Sequence, residues 1–148
     1  MTAPTHRRIV TRLSTLLVGS LLLLLPACAR AQVLVVANPG IAPSAVSRDQ
    51  LRDVFTGAAS GIKGAAQVTP ALLKQGPAHD DFLATYIGKS DTAFRAAWRS
   101  LLFSGQAMLP RTMDSDAEMV EYVAHTPGAI GYIAQTSPHP GTKILAVR

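Results

Sequence analysis

His79, His125 and His139 are the side chains best suited to hold a metal or to move a proton near neutral pH. Their spacing serves neither task. No two of them stand at i, i+4, the separation that sets two imidazoles on one helix face, so a zinc site is not implied. His79 and Asp80 are neighbours in sequence, and adjacency alone does not make a catalytic triad. No Gly-x-Ser-x-Gly elbow and no paired-carboxylate motif frames a nucleophile or an acid. The chain therefore reads as non-catalytic, and no cofactor is implied. His125 follows Glu121 by four residues, the spacing of a surface ion pair on a helix. Phe94, Trp98 and Leu101 repeat at helical spacing, which is the pattern of a core face rather than of an aromatic ligand platform.

The N-terminus reads as a leader. Arg7, Arg8 and Arg12 precede an apolar run from Leu16 to Leu25, Pro26 breaks it, and Ala29-Arg30-Ala31 has the form of a cleavage signal. The run is short of the roughly 20 residues that a spanning helix needs. Cleavage after Ala31 leaves 117 of the 148 residues. Leu25-Pro26-Ala27-Cys28 offers a competing reading as a lipobox, with Cys28 lipidated and the protein anchored to a membrane. Its internal proline and the better placement of the Ala-Arg-Ala site favour simple cleavage, and with it a periplasmic or secreted location. Cys28 is the only cysteine, so the rest of the chain has no disulfide and must be stabilised by its core.

The leader also carries most of the charge. The whole chain is +5, but Arg7, Arg8, Arg12 and Arg30 lie before the cleavage point and none of the nine acids does, which leaves +1. No basic cluster remains, so a nucleic-acid partner is not implied. The remaining length suits one core and not two lobes.

Strands and helices alternate along that length. Val33 to Ala37 is a continuous apolar run, expected as a strand buried on both faces. Ser47 and Gln50 form a capping box for a helix from Arg48 to Thr56, with Val46 and Leu51 placed as a staple and Gly57 as the stop. Ala58 to Gly64 reads as a loop. Val68 to Lys74 reads as a second strand, with Pro70 holding its beginning to an edge or bulge. Pro77 starts the next helix, which Gly88 ends. A third helix runs from about Asp91 to Ser104-Gly105, with Phe94, Ala97, Trp98, Leu101 and Leu102 inward. Gln106 to Thr112 is expected as a loop. Ser115 to Glu118 is a second capping box, for a helix that ends before Pro127. Ile130 to Ile133 and Lys143 to Val147 are the last strands, joined through Ser137-Pro138-His139-Pro140-Gly141. The alternation predicts a single α/β domain, three-layer-like, with a mixed or mostly parallel sheet flanked by helices.

Two segments add a resemblance. Ser47-Arg48-Asp49-Gln50-Leu51-Arg52-Asp53-Val54-Phe55-Thr56-Gly57 is similar to an early Leu-Ser-x-x-Gln-Leu-x-x-Ile-Phe-x-Gly helix, and Thr126-Pro127-Gly128-Ala129-Ile130-Gly131-Tyr132-Ile133 to a late Pro-Gly-x-Ile-Gly-Tyr turn and strand. In that order they resemble one lobe of the PstS-like phosphate-binding proteins of ABC importers, the type 2 periplasmic binding proteins. The resemblance implies a periplasmic-binding-protein-like domain over residues 32–148 and a phosphate-like small anion as ligand. It also implies an ABC transporter as partner, or an envelope protein if solute binding has been lost. In the family an Arg-x-Asp-Gly-Ser-Gly-Thr segment holds phosphate at a helix start. The corresponding stretch here runs from Leu72 to Asp81. Lys74 stands near the family's arginine, and Gly76 matches its glycine loosely. No hydroxyl is present, Pro77 removes an N–H donor, and Asp80 and Asp81 add negative charge. Lys74, Gly76, His79, Arg111 and Thr112 are thus the candidate anion site, altered from the family's. The competing reading makes them a solvated lysine, a helix-start histidine and a loop arginine. Weak anion binding at most is expected.

Overall fold

The unbroken apolar run Val33–Ala37 becomes β1, which lies inside a sheet with neighbours on both edges. The computed structural model describes residues 33–148; the leader, its cleavage site and Cys28 lie outside them. The elements that follow are β2 (Ala45–Val46), α1 (Arg48–Phe55), β3 (Thr69–Leu73), α2 (Pro77–Phe82), α3 (Asp91–Phe103), β4 (Arg111–Met113), α4 (Asp116–His125), β5 (Ala129–Ala134), β6 (Lys143–Ile144) and β7 (Ala146–Val147). The main sheet has the order β4-β3-β5-β1-β6. β3 runs parallel to β4 and β5, while β1 runs antiparallel to β5 and β6. β2 and β7 form a separate parallel pair. The expected single α/β domain with a mixed sheet is what the chain builds.

β5 sits at the centre, and Ala129 to Ile133 are all buried. Its two faces meet different layers. Gly131 faces α4, where a Cβ would run into the buried side chains of Met119 and Val123. Tyr132 faces the other way, with its ring stacked on Phe82 of α2 (centroids 3.8 Å apart) and edge-on to Phe55 of α1. α3 belongs to this second layer too, since Trp98 Nε1 donates to the Phe55 carbonyl at 2.9 Å. The result is helix on sheet on helix, with α4 alone on one side among the described residues.

The local signals hold closely at the first helix. The Gln50 N–H donates to Ser47 Oγ at 3.2 Å, and Gln50 Oε1 accepts from the Ser47 N–H at 3.3 Å, so the capping box is complete. Val46 and Leu51 are both buried beside it. At α4 the expected box is only half formed. The Glu118 N–H donates to Ser115 Oγ, but the Glu118 carboxylate accepts from the Asp114 N–H at 2.7 Å, one residue further out. Asn38 closes the opposite end of α4: its Nδ2 donates to the carbonyls of Val123 and Ala124 at 3.0 and 3.1 Å, tying β1 to the helix terminus.

Three expectations are corrected, and those for the Pro77 helix and for Pro70 are refined. Arg111–Met113 is a strand, β4, and not part of a loop; three residues after a proline are too few to show an alternating pattern. Lys143 to Val147 is two strands, because the buried Leu145 separates a pair with β1 from a pair with β2. The helix from Pro77 continues past Phe82 into a π-helical turn, Leu83–Ile87, before Gly88 ends it in a left-handed conformation. Leu102 is exposed rather than part of the core face of α3. Pro70 is the second residue of β3, an interior strand. Pairing with β4 begins only at Ala71↔Arg111, so only β5 lies alongside Pro70.

Gly131→Ala should lower stability by about 1–3 kcal/mol, the ordinary cost of overpacking a filled core. Ser47→Ala should cost about 0.5–2 kcal/mol through loss of the cap. Urea denaturation of both variants checks the two values.

Candidate functional site

The parallel strands β3 and β4 end side by side, with the Leu73↔Met113 pair as the last in register. The chain turns from β3 into α2 through Lys74-Gln75-Gly76, and from β4 into α4 through Asp114-Ser115. Both helices begin beside one small cleft of about 200 Å³, lined by Gln75, Gly76, Asp114, Ser115, Asp116 and Ala134. The carboxyl end of parallel strands is where open α/β sheets present ligand sites. Gly76 precedes α2 with φ 111°, a backbone conformation that suits glycine alone.

The electrostatics of this cleft are dominated by acid. The Lys74 ammonium lies 2.6 Å from Asp114 Oδ1, and this carboxylate holds its pKa above the usual lysine value. Glu118 adds further negative charge nearby. Asp116 Oδ2 accepts from the Ala134 N–H at 2.9 Å and from the Ser137 hydroxyl at 2.6 Å, linking the start of α4 to the chain leaving β5.

His79 does not line the cleft, although its neighbour Ala78 does. The histidine is 2% exposed, and both ring nitrogens have partners. Nδ1 lies 2.6 Å from Tyr132 Oη, and Nε2 lies 2.8 Å from Asp91 Oδ1. The Leu73 N–H donates to the same Tyr132 oxygen at 3.1 Å. With the Leu73 N–H donating to the phenol oxygen, the Tyr132 O–H is left to donate to Nδ1, and the ring then donates from Nε2 to Asp91. Arg95 completes the chain: its Nε lies 2.8 Å from each Asp91 oxygen, and its terminal nitrogen donates to the Lys74 carbonyl. The hydrogen bond and charge of Arg95 hold the Asp91 carboxyl below its usual range, with His79 a lesser contributor. Burial pushes the Tyr132 phenol strongly up, so it stays a neutral donor.

The five candidate residues are thus distributed over different places. Lys74 and Gly76 stand at the strand-end cleft. Arg111 pairs with Ala71 at the far end of β4, three residues or about 10 Å along the strand from Lys74. Its guanidinium lies over the Tyr122 ring of α4. Thr112 faces the opposite side of the sheet and lines a hollow with Phe94 and Arg95 of α3. Sequence reasoning missed Asp114, Asp91 and Tyr132 as partners. The first was hidden because β4 was not legible as a strand, so nothing placed Asp114 beside Lys74. His125 does meet Glu121, at 3.4 Å, as its spacing indicates. His139 instead bonds the Ser137 carbonyl within its own turn.

No protein-family description and no curated protein sequence matches this chain. Solved structures do. A phosphate ABC transporter substrate-binding protein from Clostridium perfringens, with phosphate bound, superposes with a TM-score of 0.59 at 14% identity, over 78% of this chain and 44% of that one. PstS from Borrelia burgdorferi gives 0.56 at 18% identity, over 79% and 47%. An ABC-type phosphate transport receptor from Vibrio cholerae gives 0.51 at 14% identity, over 78% and 46%. The chain has the fold of one lobe of the PstS-like binding proteins. It spans less than half the length of these three structures, all of them binding proteins and none an enzyme by its description.

Tyr132→Phe leaves the Leu73 N–H without an acceptor and should cost about 1–3 kcal/mol. Because the folded Asp91 pKa is lowered, its stabilisation is complete above the unfolded value of about 4 and is lost as pH falls below it. Asp91→Asn should flatten that acid limb in urea midpoints recorded from pH 7 to pH 3.

Proposed function

We propose that this protein is a non-catalytic, exported binding domain of the phosphate-binding-protein type that holds small anions weakly at most. The observation that carries the reading is the Lys74–Asp114 pair. Lys74, the lysine at the strand-end cleft, already has a carboxylate at 2.6 Å, and Arg95 beside it is held by Asp91, so an incoming anion must displace a carboxylate. Asp116 and Glu118 at the start of α4 add repulsion. Lys74 is half-exposed, so screening reduces whatever attraction remains. Pro77 withholds an N–H where the related proteins' segment offers one. In this reading Lys74 and Gly76 are the residues that touch an anion. His79 does not line the cleft, and Arg111 and Thr112 lie apart from it.

Titration calorimetry with inorganic phosphate at physiological salt tests this. The expected dissociation constant is weaker than about 100 μM, or about −5.5 kcal/mol at best. Asp114→Asn should strengthen binding by freeing Lys74. Micromolar binding by the unaltered protein, abolished by Lys74→Ala, would overturn the reading.

A second reading makes the domain an envelope interaction module that no longer binds solute. It is favoured by the exposed apolar side chains at the end of α3. Absence of any anion effect on thermal stability, with phosphate, sulfate or organic anions in large excess, would select it; a ligand at 100 times its dissociation constant adds about 2.7 kcal/mol. In either case we propose processing after Ala31, with an importer or another envelope protein as the natural partner. Intact mass of the native protein distinguishes a chain beginning at Gln32 from one anchored through a lipidated Cys28.

A further inference from the structure

We infer that the turn between α3 and β4 is a membrane-contacting tip, which inserts Phe103 and Met108 into an anionic phospholipid surface. Four of the five exposed large hydrophobic side chains among the described residues lie here: Leu102, Phe103, Met108 and Leu109. Phe103 is 87% exposed and Met108 is 90% exposed, values that leave almost nothing of either ring or thioether against protein. The turn is a closed one. The Gly105 N–H donates to the Leu102 carbonyl at 3.1 Å, and the Gln106 N–H to the Leu101 carbonyl at 3.0 Å, so the chain folds back beside the helix end it has just left. Leu109 returns far enough to share a hollow with Trp98 and Arg99.

Charge names the occupant. From Thr92 to Met113 the chain has no Asp or Glu, and its only charges are Arg95, Arg99 and Arg111. Arg95 is bound to Asp91, while Arg99 and Arg111 have no carboxylate partner among the described residues. Arg99 belongs to the α3 side of the edge strand, and Arg111 leans onto Tyr122 on the α4 side. Neither hollow beside the turn is lined by a carboxylate. An apolar tip rimmed by arginines is the arrangement that an acyl boundary beneath anionic headgroups complements. A second copy of the chain fits worse, because a two-fold contact through this tip would bring the same arginines face to face. Addition of a partner strand to β4 also fits worse, since the strand has three residues and follows Pro110.

The test is co-sedimentation with vesicles, using the chain from Gln32 onward, which carries every element described above and lacks Cys28. Equal mixtures of phosphatidylglycerol and phosphatidylcholine should sediment the protein, and pure phosphatidylcholine should not. Phe103→Asp with Met108→Asp should abolish sedimentation, and Arg99→Gln with Arg111→Gln should weaken it about thirtyfold. Phe103 and Met108 are almost wholly exposed, so unchanged thermal melting is expected of the aspartate pair, and at most a small drop of the arginine pair, in which Arg111 leaves the Tyr122 ring. No sedimentation with the mixed vesicles, or sedimentation unaffected by either variant, would overturn the inference. So would a concentration-dependent dimer that the aspartate pair dissolves, or binding to polyglutamate in place of vesicles.

Discussion

Leu73 needs an acceptor that its own sheet does not supply. β3 and β5 pair in register only at Thr69↔Ala129 and Pro70↔Ile130, yet the Leu73 N–H points to the same side as that of Thr69, toward β5. The Tyr132 hydroxyl fills the gap at 3.1 Å. A buried N–H left open would cost about 1–3 kcal/mol, so the strand end that presents the cleft depends on this one phenol. The hydroxyl then has a proton to give, and a buried proton must be given. His79 Nδ1 accepts its hydrogen bond, Nε2 donates one to Asp91, and Arg95 balances Asp91. The relay ends on the Lys74 carbonyl, one residue beyond Leu73. β5, β3, α2 and α3 are thereby locked by one circuit of polar groups that begins at the buried Tyr132 and His79 and ends at the half-exposed Asp91 and Arg95.

That circuit explains why His79 is better understood as part of the frame than as a ligand. An imidazole whose two nitrogens are both engaged, one by a phenol and one by a carboxylate, has nothing left for an anion without breaking the frame. It also explains the form of the Gly-Tyr pair in β5. Gly131 lets α4 approach one face, and Tyr132 reaches the neighbouring strand from the other. Two adjacent residues thus set the spacing of both outer layers.

Much of this was legible from residue order. The β1 run, the Ser47 box, the Pro77 start and the Pro127-Gly128 break are local signals, each set by a few neighbouring residues, and the three-layer α/β reading followed from their alternation. The two motifs that resemble the phosphate-binding proteins lie in α1 and β5, the elements that carry Phe55 and Tyr132, which is why they indicated the fold correctly. What was not legible is non-local. β4 exists because β3 is beside it, not because Arg111-Thr112-Met113 favours a strand. Once it exists, Asp114 arrives beside Lys74, and Arg111 and Thr112 are turned to opposite faces. A candidate site assembled from residue types alone could not contain that information.

The cleft and the tip then follow different physical rules. At the cleft, a helix start and a lysine offer attraction to an anion, and three nearby carboxylates on the Asp114 to Glu118 segment offset it. In the proposed reading, charge balance rather than shape limits anion capture here, because the fold still brings two helix starts to one place. At the tip the balance is reversed: Arg99 and Arg111 stand without carboxylate partners among the described residues, and apolar side chains stand without cover. The two places lie at opposite ends of the short edge strand, with Met113 leading into the first and Arg111 leading out of the second. One three-residue strand therefore separates an acid-dominated cleft from a basic, apolar tip, a polarity that the net charge of +1 over residues 33–148 conceals.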